Sequence, residues 1–348
     1  MDFTFTEDQL LFQESVREFL CNEVTAEKIR SLWETETGRC DTLWGQLVEL
    51  GLPAMTVPEE FGGLGMDTLD FILIAQECGY VALPDGLVHQ SLVAVPALMA
   101  IDSLAAEWLP KVADGSAKVV VGLESNLLVE DAHTADLLLM QQGDTLHALS
   151  QGQVTLRYNA SVDPSRRLFA VEWQATDATQ VAEGEQAKSI IQHAFNAGAL
   201  GLAAESLGLT QRMMDLSVQY TAERQQFGKP IGSFQAVKHL MSNIAYKHEY
   251  AKAPVARAAY SLANGSDAAA THVSHAKLAA TEVAQTAAKN TIQCHGAMGY
   301  TWEVDLHIFM KRAWAYNNTW GSVALHQQRI ADAVLNQSNT LGAGYTFA

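Results

Sequence analysis

The stretch "YTAERQQFGKPIGSFQAVKH", residues 220–239, decides how this chain is read. A helical run closes on Glu223-Arg224. Phe227-Gly228 makes a turn, and a second helix starts behind Pro230. Upstream, Leu209, Met213, Leu216 and Tyr220 step by four, three and four residues, the spacing of one helical face. Downstream, Val237, Leu240, Met241 and Ile244 repeat the pattern. "SDAAATHVSHAKLAATEVAQTAAKNTIQ" adds an alanine-rich helix of high intrinsic propensity. Pro254 lies inside the second helix and is expected to kink it. Residues 189–348 are thus expected to form a helical bundle domain.

Working outward, the period changes between residues 116 and 188. "KVVVGL", "ADLLLMQQ", "TLHALS", "QVTLRYN" and "RRLFAVEW" read as strands, with turns at Gly143-Asp144, Gly152 and Asp163-Pro164. A small antiparallel sheet is expected there. Residues 1–115 return to helical patterning. Thr6 caps "EDQLLFQESVREFL", whose apolar positions are Leu10, Leu11, Val16, Phe19 and Leu20. Gly51 stops "DTLWGQLVELG", "VPEEFGGLGMD" is a turn-rich loop, and "TLDFILIAQECG" is a helix ending at Gly79. The fold class is mainly α with a small β domain in the middle.

The net charge of −17 argues against a nucleic-acid partner. Cys21, Cys40, Cys78 and Cys294 are far apart and form no zinc or dithiol motif. His272 and His275 stand three apart on a helix, but no acid completes a ligand set, so no metal is expected. The start, "MDFTFTEDQL", lacks a basic and apolar leader. The longest apolar run, residues 92–101, contains Pro96 and is too short for a bilayer, so the expectation is a cytoplasmic protein without membrane contact.

Three motifs then carry a resemblance. "LVELGLPAMTVPEEFGGLGMDTLDFILIAQECG", "ERQQFGKPIGSFQAVKH" and "QCHGAMGYTWE" resemble the signatures of the acyl-CoA dehydrogenases, in the same order and spacing. The resemblance covers both helical regions and is weak between them. It implies an N-terminal helical domain, a short antiparallel β domain and a C-terminal four-helix bundle. It also implies FAD, an acyl-CoA substrate, and a cofactor shared between two subunits, with electrons passing to an electron-transfer flavoprotein. On that pattern Arg224 matches the arginine that reaches a neighbour's FAD pyrophosphate, a task suited to a planar, permanently charged fork. Phe227 matches an aromatic packed on the same cofactor. Gln293 and Gly296 match the segment touching its adenosine half, with Ala297 where the family has a second glycine.

The resemblance also marks departures. The family's usual base is a glutamate before a Gly-Thr pair; "KRAWAYNNTWGS" places Trp320 there, and indole accepts no proton near neutral pH. The alternative base position of some members falls on Gly198. Glu205 reads as structural, Glu223 adjoins Arg224 on a helix where consecutive residues point different ways, Glu303 is common in the family without being its base, and no catalytic residue is assigned. The "TEPxxGSD" and "WITN" segments that hold the flavin ring are absent, with Glu124 and Ser125 the only echo. Three readings follow. The first is a partner subunit of a heteromer, lending Arg224, Phe227 and Gln293 to the FAD of a homologous catalytic chain, an arrangement the family associates with bulky steroid-like substrates. The second is a self-sufficient homo-oligomeric enzyme with an unassigned base. The third is a non-enzymatic scaffold.

Overall fold

The computed structural model describes residues 4–336, so the ends of the expected first and third domains lie outside the described residues. The N-terminal helices are α1 (Glu7–Glu23), α2 (Ala26–Trp33), α3 (Asp41–Glu49), α4 (Thr68–Val81), α5 (Leu87–His89), α6 (Val95–Met99) and α7 (Asp102–Ala113). A π-helical segment, Gln90–Ala94, joins α5 to α6. Thr6 caps α1 as expected, in a reciprocal box with Gln9. Val16 and Leu20 face the core, whereas Leu10 and Leu11 are 48% and 64% exposed. Gly51 follows α3 with φ +74°, a conformation that favours glycine.

Gly79 does not end its helix. α4 runs on to Val81, and Ala82 takes the left-handed cap at φ +52°. Gly79 is needed for approach instead: a Cβ there would lie 2.1 Å from the Glu205 carbonyl oxygen, and one at Gly208 would lie 1.9 Å from that of Gln76. The two glycines let α4 and the long central helix meet backbone to backbone.

The middle region holds β1 (Val119–Gly122), β2 (Val129–Glu130), β3 (Leu137–Gln142), β4 (Thr145–Leu149), β5 (Val154–Asn159), β6 (Leu168–Trp173) and β7 (Gln180–Glu183). All five expected strands form. They are split between two sheets, of order β1-β3-β4-β7 and β2-β6-β5. One pairing differs from the antiparallel expectation: β1 and β3 are parallel, because the intervening chain diverts through β2 into the other sheet before it returns. Val120, Leu138, Met140 and Phe169 form a small core of their own in this region.

The central helix is α8 (Gly184–Glu223), 40 residues long and begun earlier than the expected boundary at 189. β8 (Gln225–Gln226) and β9 (Lys229–Pro230) form a short hairpin, followed by α9 (Gln235–Ala263), α10 (Ala269–His295), α11 (Leu306–Tyr316) and α12 (Val323–Ala331). α9 continues through Pro254 as one helix. The alanine-rich face of α10 buries Val273, Ala276, Ala280, Ala284 and Ala287 against its neighbours. Small side chains permit that close packing, so the bundle is built on short contacts more than on large ones. Among the described residues no helix is long and apolar enough to cross a membrane.

Candidate cofactor and substrate site

At the end of α8, Arg224 leaves helical geometry (φ −68°, ψ 121°), and its carbonyl accepts from Ile231 N–H at 2.8 Å. This bond folds the following residues back as the β8–β9 hairpin. Its two turn residues, Phe227 and Gly228, have φ of +54° and +76°. Successive positive φ values define a turn in which Asn-Gly is favoured, so phenylalanine at the first position is strained. Phe227 is also 91% exposed, touching Phe234 edge to face at 6.1 Å. A strained and solvated phenylalanine is a poor investment for a solitary chain.

The second expected segment lies at the same end of the bundle. The Tyr220 ring stacks on His295 at 4.2 Å, and its hydroxyl donates to the His295 carbonyl at 3.4 Å. That contact ties the end of α8 to the end of α10. Gln293 is exposed one turn earlier, and its carbonyl accepts from Gly296 N–H. Gly296 has φ +58° and ψ −138°, a region reserved for glycine. The structure thus gathers Arg224, Phe227, Gln293 and Gly296 at one exposed end of the domain.

The cleft where all three regions of the chain meet is closed. Trp320 adopts φ +54° ahead of Gly321 at +98°, and its side chain is 6% exposed. Its indole lies over Gly198: a Cβ at that glycine would come within 2.4 Å of the ring. The two positions where the family resemblance would put a base therefore meet in space, and a tryptophan on a bare Cα occupies both. His89 flanks the indole at 5.7 Å between centroids. Its Nε2 accepts from Val121 N–H at 3.0 Å, and burial pushes its pKa down to about 4. The Trp320 carbonyl is held by His326 Nε2 at 2.9 Å, and His326 in turn bonds the Ser274 hydroxyl at 3.1 Å.

Around this plug, charged residues pair with one another. Arg39 bonds Asp131, Arg312 bonds Asp163, Arg166 holds Glu130 at 2.8 Å and Lys118 holds Asp85 at 3.1 Å. Arg312 also donates to the Leu83 carbonyl at 3.0 Å, and Arg166 to the Thr319 hydroxyl at 3.0 Å. Burial alone would lower the Arg312 pKa, but Asp163 and its neighbours hold it well above the usual value. The space left is about 70 Å³. That is roughly half of the ~150 Å³ that admits one benzene ring, and far too little for a tricyclic one. Glu205 lines this cavity and accepts from the Tyr316 hydroxyl at 2.9 Å. Burial pushes its pKa up to about 7, only partly offset by Arg312 and that hydrogen bond.

The other acids sit elsewhere. Glu124 accepts from Gly143 N–H at 2.9 Å and braces a hairpin turn, while Glu223 and Glu303 are exposed outside the cavity. His272 bonds the Ser261 hydroxyl at 2.7 Å, and among the described residues no cluster of three metal-ligating side chains forms. Sequence reasoning passed over Asp163, Arg166 and Arg312. Asp163 reads as half of an Asp-Pro turn and Arg312 only as part of the stretch that ends at Trp320-Gly321-Ser322, and nothing in either neighbourhood announces the partner 149 residues away.

The acyl-CoA dehydrogenase N-terminal domain matches residues 6–116, and the acyl-CoA dehydrogenase C-terminal domain matches residues 188–335. The acyl-CoA dehydrogenase IpdE2 of Mycobacterium tuberculosis is 32% identical, over 88% of this chain and 91% of its own length. This chain belongs to the acyl-CoA dehydrogenase family. Its homologues and structural neighbours support an oxidoreductase acting on acyl-CoA, with FAD as the cofactor. IpdE2 of Mycolicibacterium smegmatis is also 32% identical, with 88% and 93% of the two chains covered. Among solved structures the fold matches the ChsE4-ChsE5 complex of Mycobacterium tuberculosis (TM-score 0.85, 20% identity, 97% of this chain and 100% of that one). It also matches the Tcur3481-Tcur3483 steroid ACAD G363A variant (TM-score 0.86, 21% identity, 95% and 98%).

Tested against FAD, the two ends of this family member differ. The Arg224 end fits: a permanent cation, an uncovered aromatic ring and a glycine backbone are all open to a dinucleotide. The closed cleft does not fit a flavin ring, because Trp320 and the ion pairs occupy it.

Proposed function

We propose that this chain is the partner subunit of a heteromeric acyl-CoA dehydrogenase, completing the FAD site of a homologous, base-bearing subunit. The observation that carries this reading is the packing of Trp320 on Gly198, which leaves no carboxylate at either family base position. Arg224 would bind the FAD pyrophosphate through two parallel charge-assisted hydrogen bonds. Phe227 would lose its exposure against the cofactor, and Gln293 and Gly296 would meet the adenosine half. Bound in the partner, FAD supplies the acceptor for the hydride leaving the acyl β carbon. This chain's residues bind and orient that cofactor, while proton abstraction belongs to the other subunit. An electron-transfer flavoprotein is the proposed electron acceptor. The complexes among the matched structures, one of them described as a steroid enzyme, support a heteromer and a bulky acyl chain. The domains of this reading are residues 1–115, 116–188 and 189–348.

The test is to produce the chain alone and together with a homologue from the same source that carries a glutamate at the family base position. The expected outcome is a colourless lone chain and a yellow complex that oxidises acyl-CoA. A lone chain that retains one flavin per subunit and turns over acyl-CoA would sink the reading.

One observation favours the self-sufficient alternative: Glu205 lies in the cavity wall with a pKa near 7, the range of a general base. In that case the lone chain is active and Glu205→Gln abolishes turnover.

A further inference from the structure

A second concavity opens between the N-terminal helices and the bundle, sharing no lining residue with the closed cleft. Its volume is about 870 Å³, within the roughly 300–1,000 Å³ of small-molecule sites. One wall comes from α1 and α4, the other from α9, and the seam between α4 and α8 forms its base. The base is apolar: Ile72, Leu73 and Leu207 are buried there. The walls carry apolar groups too. Leu10 stands half exposed on α1, and the Pro254 ring stands on α9. Neither side chain has a task at the Arg224 end of the molecule.

The charges in this cleft are already committed. Arg17 is paired with the buried Glu77 at 2.5 Å, and Lys252 with Glu249 at 2.6 Å. Arg257 is not free either. An ionic ligand would have to break one of these pairs to gain a partner, so the cleft selects against net charge of either sign. His248 and His275 add none. Burial lowers both pKa values, helped by Lys252 at the first and Arg257 at the second, so both rings are neutral near pH 7.

One polar atom is left over. His248 lines the cleft and is 3% exposed. Its Nε2 lies 3.1 Å from the Leu207 carbonyl oxygen, which can only accept, so Nε2 carries the ring proton. Nδ1 therefore holds a lone pair, and it is buried without a hydrogen-bond donor. Glu249 Oε1, 3.9 Å away, is itself an acceptor and cannot serve a neutral ring. A buried acceptor left unpaired costs free energy that a ligand donor would recover. The cleft thus lacks one thing, a hydrogen-bond donor without charge on an apolar body.

We propose that this cleft binds an uncharged lipid alcohol, at a site separate from the shared cofactor site. The apolar body of such a ligand lies along Ile72, Leu73 and Leu207, and its hydroxyl donates to His248 Nδ1. The lone chain carries the whole cleft, so the test does not depend on the partner reading. The probes are 1-decanol, its donor-less counterpart 1-methoxydecane, and decanoate, titrated calorimetrically below their solubility limits into the full chain and into the assembled complex. Saturable one-site binding of decanol is expected, roughly tenfold tighter than that of the ether. Decanoate should also bind at least roughly tenfold more weakly than decanol, since a charge enters a cleft whose cations are taken. His248→Phe should erase the preference for alcohol over ether. Ala253→Trp, on an exposed wall position that tolerates the change, should block both neutral probes. Equal affinity for alcohol and ether, tighter binding of decanoate, absence of saturation, or an unaffected Ala253→Trp variant would overturn the proposal. So would binding by the lone chain that vanishes on assembly, which would make the cleft a subunit interface.

Discussion

The two ends of this molecule handle charge and aromatic surface in opposite ways. At the end of α8, Arg224 and Phe227 stand in solvent on a strained hairpin. In the three-domain cleft, Arg39, Arg166 and Arg312 are buried against their own carboxylates, and Trp320 is folded over a glycine. One end leaves its interactions unmade and the other completes them internally. On the proposed reading, the difference teaches that a family site can be lost without being dismantled. Once a ligand's space is filled by mutually satisfied groups, the cleft becomes part of the core, and its residues answer to stability instead of turnover.

This contrast can be broken most forcefully at Arg312. Arg312→Met strips Asp163 of its buried partner and should destabilise the chain by about 3–5 kcal/mol. Denaturant melts of the lone chain measure the loss, while flavin content of any complex that still assembles should be unchanged. Arg224→Ala should do the reverse. Removing an exposed arginine should leave the melt of the lone chain within about 0.5 kcal/mol of wild type. In the reconstituted complex it should weaken flavin retention by about 3 kcal/mol, roughly a hundredfold in Kd, read by flavin fluorescence on dilution. If Arg224→Ala leaves flavin retention untouched, the cofactor role fails and the scaffold reading gains.

A subtler effect sits at the plug. Gly198→Ala pushes a methyl into the indole and should cost about 1–3 kcal/mol, although alanine is the better helix former. In a Trp320→Ala background the same change should become neutral or stabilising by up to about 1 kcal/mol, since only helix propensity remains. A double-mutant cycle in urea reads the sign change, and additivity would show that the two residues do not press on each other.

A further effect is in the pH dependence. The Glu205 pKa rises from 4.5 to about 7 on folding, mainly through burial. The folded state therefore holds this proton more tightly than the unfolded chain, so stability falls as pH rises from about 4.5 to 7 and levels off above that. Glu205→Gln should flatten that slope between those limits, and an unchanged profile would mean that another group sets it.

Much of the architecture was legible because it rests on local periodicity. The helix after Thr6, the stop near Gly51, five strands and the helix–turn–helix around Arg224 all follow from spacing and turn chemistry. Gly79 was misread because a glycine wanted for close approach looks, in one dimension, like a helix stop. The parallel pairing of β1 and β3 depends on a detour through a second sheet, which strand alternation does not encode. Arg224, Phe227, Gln293 and Gly296 could be singled out because each pair lies within one short motif, and their cofactor role stands as a proposal; Trp320 could be picked out by position alone.

By itself, then, the sequence determined which local elements form, which family they belong to, and which side chains sit on the exposed turn. Only the tertiary structure decided that Trp320 rests on Gly198, that Asp163 and Arg312 pair, and that the cleft is full. Periodicity and turn preference are settled within a few residues of chain. Whether a cavity is open depends on volumes and charges brought together from more than a hundred residues apart, and no local preference specifies that sum.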